Sequence, residues 1–69
     1  MKNNGFECFK GKRVLVVYRN HSEEMEFEGM MVDVINDEIL KLENGEDKRR
    51  LDTTDPSIKI ISIETIVDA

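Results

Sequence analysis

Three consecutive cations, Lys48, Arg49 and Arg50, form the densest basic run in a 69-residue chain that is otherwise acidic. Ammonium and guanidinium groups at adjacent positions can grip phosphate or carboxylate oxygens through charge-assisted hydrogen bonds. On a strand, Lys48 and Arg50 share one face and Arg49 takes the other. Lys10, Lys12 and Arg13 would strengthen the site if the fold brings them near. The plainer role for the run is to solvate a hairpin and pair with Glu46 and Asp47. Lys48, Arg49 and Arg50 are the expected ligand-binding residues.

Other chemistry-bearing residues have simpler roles. Asp52 and Asp55 flank Thr53-Thr54, and paired carboxylates can do acid–base work. Asp, Thr and Pro56 are also favoured turn residues, because their side chains or ring satisfy or preset the turn backbone, and a turn is expected there. His21 is the single histidine; a zinc site needs three or four nitrogen or sulfur ligands. Ser22 beside it cannot build a triad without a third group. Glu23, Glu24, Glu26 and Glu28 form an acidic ridge, but calcium requires six to eight oxygens from a shaped loop, so a solvated face is expected. No phosphate-loop, dinucleotide or zinc-protease motif occurs. A non-enzyme without metal or cofactor is the expectation.

The charge balance sets the class of partner. Fifteen acids against ten bases leave a net charge of −5, whereas nucleic-acid binders draw non-specific affinity from neutralising phosphates. Any RNA binding is therefore expected to be weak and to need a local basic patch. Hydrophobic residues at 39% and charged residues at 36% are a folded, soluble balance. Lone Cys8 has no partner for an internal bridge and reads as a reduced thiol. No apolar run reads as a secretory signal or approaches the eighteen residues of a membrane span. A cytoplasmic location without a membrane partner follows as an expectation.

One small domain over residues 11–69 is expected, after an irregular or one-turn lead-in over 1–10 whose Phe6 and Phe9 cover one end of the core. In "RVLVVYR", Val14, Val16 and Tyr18 share one strand face and Leu15 and Val17 the other. Apolar residues on both faces imply a strand covered on both sides, or one that leaves a face for a partner. Met25 and Phe27 alternate with Glu26 and Glu28, and Gly29 sits where the alternation would continue. Met31 and Val34 are then three apart, so the inward face must change parity. A glycine there marks a bulge or tight bend, and Phe27 and Gly29 are the expected structural bend. Asn36-Asp37 and Asn44-Gly45 supply residues that tolerate positive φ, as short hairpins require. "EILKL", "KRRLDT" and "IKIISIETI" complete five strands.

The succession "GKRVLVV", "EFEGMMVDV", "EILKLENGE" and "IKIISIE" resembles the SH3-like small barrels, and the Sm-like family most of all. Phe27-Glu28-Gly29 is similar to that family's F-x-G step in a bent second strand, before a leucine-rich third and an isoleucine-rich last strand. The resemblance covers about residues 11–65 and implies an all-β, five-stranded barrel. Asp33 and Asn36 stand where Sm-like RNA binders carry an aspartate and an asparagine, but the turn is shorter here. "RRLDTTDP" replaces the Arg-Gly step before the last strand. The resemblance thus implies the fold more than RNA binding.

Ile61 and Ile63 are surplus to one core face if Ile58 and Ile60 point inward, unless a bulge intervenes. They are the expected oligomer interface, and the resemblance implies joining through the fourth and fifth strands. The combined expectation is a binding module that takes a protein partner or its own copy, with an Sm-like RNA binder as the alternative.

Overall fold

The computed structural model describes residues 5–67. The first four residues of the lead-in expected over 1–10, and the last two of the domain expected over 11–69, lie outside the described residues. Five antiparallel strands follow a 3-10 turn (Gly5–Phe9): β1 (Arg13–Asn20), β2 (Glu23–Ile35), β3 (Ile39–Asn44), β4 (Asp47–Asp52) and β5 (Ile58–Thr65). They form one sheet in the order β4-β3-β2-β1-β5. The all-β, five-stranded expectation holds. The sheet is open rather than closed into a barrel: β4 and β5 are its edges, and no ladder joins them among the described residues.

Cross-strand partners share a face, and that rule sorts the core. Val14, Val16 and Tyr18 of β1 stand opposite Gly29, Phe27 and Met25 of β2 on one side. Opposite Val16 and Tyr18 on the other side stand Ile63 and Ile60 of β5. Met31 faces Leu42, Val34 faces Leu40, and Leu40 faces Leu51. These rows build the buried core, and Phe6, Phe9, Met25, Ile58, Ile60 and Ile63 pack around it half-buried. Leu15 and Val17 lie on the outer face, half-buried, with Glu28 and Glu26 of β2 beside them. Strand β1 therefore buries the Val14, Val16 and Tyr18 face fully and the Leu15 and Val17 face in part.

Strand β2 serves two neighbours in succession. Residues 23–30 pair with β1 and residues 30–35 with β3, so Met30 alone belongs to both ladders. The parity change falls between Met31 and Asp33, where Val32 is the extra residue of a bulge. Gly29 itself lies in regular register with Val14 and is not at positive φ. Its need for hydrogen is steric: a Cβ there would run into the Glu43 carbonyl oxygen of β3 and lie 2.9 Å from the Phe27 ring. The bend expected at Phe27 and Gly29 is therefore a close approach, and the bulge follows three residues later.

The turns match their residue chemistry. Asn36 and Asp37 take φ of 53° and 58°, and Glu38 N–H donates to the Ile35 carbonyl at 2.9 Å, closing a tight turn within the three-residue loop between paired Ile35 and Ile39. The Asp37 carboxylate then reaches back 31 residues. It accepts the Phe6 N–H at 2.7 Å and the Glu7 N–H at 3.1 Å. Those bonds fasten the 3-10 turn over one end of the core, where Phe6 and Phe9 were expected. In the β3–β4 hairpin Asn44 pairs with Asp47, and Gly45 takes positive φ at the first loop position.

Replacing Gly29 with alanine is expected to destabilise the fold by about 1–3 kcal/mol, because the obstructing atom is backbone and cannot rotate away. Urea unfolding should show a lower midpoint with an unchanged slope. An unchanged midpoint would show that the β2–β3 contact yields freely.

Candidate binding groove and open edges

The β3–β4 hairpin places the cations. Its tight loop fixes the register, so Arg50 stands directly opposite Lys41, Lys48 opposite Glu43, and Arg49 opposite Leu42. Leu42 is core, so Arg49 takes the inward face and Lys48 and Arg50 the outward one, as strand alternation requires. Arg49 then lies over the Phe27 ring with its guanidinium carbon 5.1 Å from the centroid, a cation–π contact that lids the edge of the core. The three expected ligand residues are thus divided, with two on the outer face and one over Phe27.

An open groove of about 530 Å³ runs between the Val32–Asp33 bulge of β2 and the Lys48–Arg50 run of β4, floored by β3. Lys41 joins the cations there. Neither Lys41 nor Val32 was singled out from the sequence. The signal for Lys41 was present: counting back across the Asn44–Asp47 turn pairs it with Arg50. Val32 carried no signal, because the site of a bulge is not fixed by a parity change alone.

Asp33 sits opposite Lys41 in the ladder but is engaged elsewhere. Its Oδ1 accepts the Val34 N–H at 2.8 Å and lies 3.4 Å from Lys10 Nζ. The other ion pair among the described residues joins Arg13 to Glu28 at 3.3 Å. Lys48, Arg49 and Arg50 therefore make no ion pair with Glu46 or Asp47, and Lys41 makes none among the described residues. Of the cations that were to reinforce the run, Lys10 reaches the groove's margin through Asp33. Arg13 lies in a separate cleft with Gly29 and Met30.

The other candidates take structural positions. A bulge between Val17 and Tyr18 on the β1–β5 ladder makes Ile61 the extra residue of β5. Ile61 is 45% exposed, whereas Ile63 stands opposite Val16 and packs half-buried against the core. The two isoleucines expected at one interface thus separate, and Ile61 alone projects outward. Cys8 is exposed, and His21 takes φ of 58° in the β1–β2 turn.

Asp52 and Asp55 each serve their own turn. Asp52 Oδ1 accepts the Thr54 hydroxyl at 2.6 Å and the Thr54 N–H at 3.0 Å, and Asp55 Oδ1 accepts the Ser57 N–H at 2.9 Å. The Thr54 hydroxyl, then its N–H, hold the Asp52 carboxyl below its ordinary pKa, with Arg50 adding in the same direction. A folded-state pKa depressed in this way contributes stability above the ordinary aspartate value, lost as pH falls through the folded one. Following the Asp52 carboxyl by NMR should give a titration midpoint below about 3.9, the unperturbed value. Thr54→Val should move that midpoint upward; an unmoved midpoint would remove the hydroxyl from the account.

No protein-family model matches this chain, and comparison with curated proteins and with solved structures finds no match to either.

Proposed function

We propose that the chain is a small non-enzymatic interaction module with an SH3-like, most nearly Sm-like, architecture, and that it assembles with copies of itself through the β4 and β5 edges. The observation that carries this reading is the open sheet: β4 and β5 each have one side without a ladder partner among the described residues. Such edges are templates for a further strand. The bent second strand with its Phe27-Glu28-Gly29 step and the leucines at 40 and 42 support the architecture. The family's habit of joining through its fourth and fifth strands fits the same two edges.

Charge chooses the pairing. Two β4 strands side by side would oppose Lys48, Arg49 and Arg50 with the same cations, which is destabilising. Strand β5 carries Lys59 and Glu64 and is close to neutral, so β4 of one copy accepts β5 of the next. That contact is head-to-tail, and it builds a ring if the rotation closes and a chain if it does not. Ile61, outward on the β5 bulge, supplies an apolar contact beside the paired backbones. The cations on β4 also guard the edge against indiscriminate partners.

Light scattering across a wide concentration range tests the assembly. A mass well above the 8.0 kDa of one chain is expected, and a constant monomer mass would end the proposal. Ile61→Lys should dissociate the assembly while leaving the circular dichroism of the sheet intact. Ile63→Lys should instead unfold the chain, because it would place an ammonium opposite buried Val16.

A further inference from the structure

We infer that the outer-face groove between the β2 bulge and β4 is a docking site for an acidic, extended segment of a partner protein. Strand pairing places Asp33, Lys41, Glu43, Lys48 and Arg50 on one face, and Leu42 and Arg49 complete the lining beside them. The groove's cations lie on a sheet face, whereas the proposed self-assembly contact uses the β4 backbone edge, so the two are tested separately.

The groove holds a close pair of like charges. Lys41 and Arg50 stand directly opposite one another, a like-charge arrangement that weakens a sheet. Among the described residues neither makes an ion pair: Asp33 is held by Lys10 and the Val34 N–H, and Asp52, the carboxylate that attracts Arg50, is held by Thr54. A carboxylate laid between them would relieve that repulsion and gain charge-assisted hydrogen bonds from both sides. Lys48, two residues along β4 and opposite Glu43, offers a second cation on the same face. An extended segment places every second side chain on one face at a spacing of roughly 6–7 Å, the same interval that separates Lys48 from Arg50. Carboxylates at alternate positions of such a segment would meet both.

The lining argues for a protein segment over a nucleic acid. Sequence-tolerant binding of single-stranded RNA draws on bases stacked against aromatic rings, at roughly 1–3 kcal/mol per base. No residue lining this groove is aromatic, and Phe27 lies beneath Arg49. The apolar lining is Leu42 and Val32, the latter 40% exposed on the bulge, which suits an aliphatic side chain of a docked segment. A long polyanion would also meet the repulsion of a chain with net charge −5. A short segment with few charges responds chiefly to cations within a Debye length of about 8–10 Å.

Fluorescence anisotropy with a short labelled peptide that alternates Glu with Val and Thr tests the site. Oligouridine of equal charge and a peptide with Lys in place of Glu serve as comparisons. The acidic peptide should bind saturably, weaken as salt rises, and bind more tightly than either comparison. Lys41→Ala and Arg50→Ala should each weaken it about tenfold, the loss expected for one charge-assisted contact. Lys41→Glu should abolish binding and leave the melting temperature of the free protein equal to the parent's or higher, because it removes the like-charge pair. Light scattering on the same samples shows whether the assembly is unchanged, so loss of docking is distinguished from loss of self-association. The inference is overturned by failure of the acidic peptide to saturate at low salt, or by tighter binding of oligouridine. Binding untouched by the alanine variants, or lost only together with a lower melting temperature in all three variants, would overturn it equally.

Discussion

The close passage of Gly29 against the Glu43 carbonyl is the contact on which the rest of the sheet depends. Strand β2 must pair first with β1 and then with β3, and one residue, Met30, is shared between the ladders. A side chain at position 29 would hold β3 away from the strand at the point where pairing changes hands. With hydrogen there, the β3 backbone comes in, Asn44 Nδ2 donates to the Glu28 carbonyl at 2.8 Å, and the second ladder starts in register. Met31 N–H also donates to the Lys12 carbonyl at 2.9 Å, so the β1 side is secured at the same place.

Register propagates from that point outward. The Val32 bulge restores the inward face after the handover, sending Val34 to the core and Asp33 to the surface. Because β3 is then fixed, the tight loop at Gly45 fixes β4 in turn. Lys41 and Arg50 meet across the outer face as a consequence, and Arg49 falls over Phe27, two residues from where the sequence of constraints began. The backbone feature that permits the fold thus also sets the charge pattern of its surface.

The far end is tied by side chains rather than ladders. Asp37 holds the 3-10 turn, and Thr53 donates both its N–H, at 2.9 Å, and its hydroxyl, at 2.8 Å, to the Glu38 carbonyl. These bonds fasten the lead-in and the end of β4 to the same hairpin. Carboxylates that might have served chemistry are spent on backbone N–H groups instead.

Alternation alone was enough to assign β1, the first half of β2 and β3, since Val14, Val16, Tyr18, Phe27, Leu40 and Leu42 sit at a period of two and all are buried. Asn36-Asp37 and Asn44-Gly45 declared their hairpins because few residues tolerate positive φ. The spacing of Met31 and Val34 even announced a change of parity. Local sequence could not place the bulge at Val32 or the second one at Ile61, because an extra residue is defined by what the partner strand presents, and partners are distant in sequence. For the same reason Ile63 looked like a twin of Ile61, whereas it is half-buried against the core and Ile61 projects outward. Asp37 as an anchor for Phe6 and Glu7 was invisible too, since nothing within the turn itself refers to a segment 31 residues away. Local residue pattern specifies the strands, the turns and the basic run. Tertiary structure decided which of those cations face one another across the outer face, and left the sheet with two open edges, because both outcomes depend on pairing between strands and not on the content of any one.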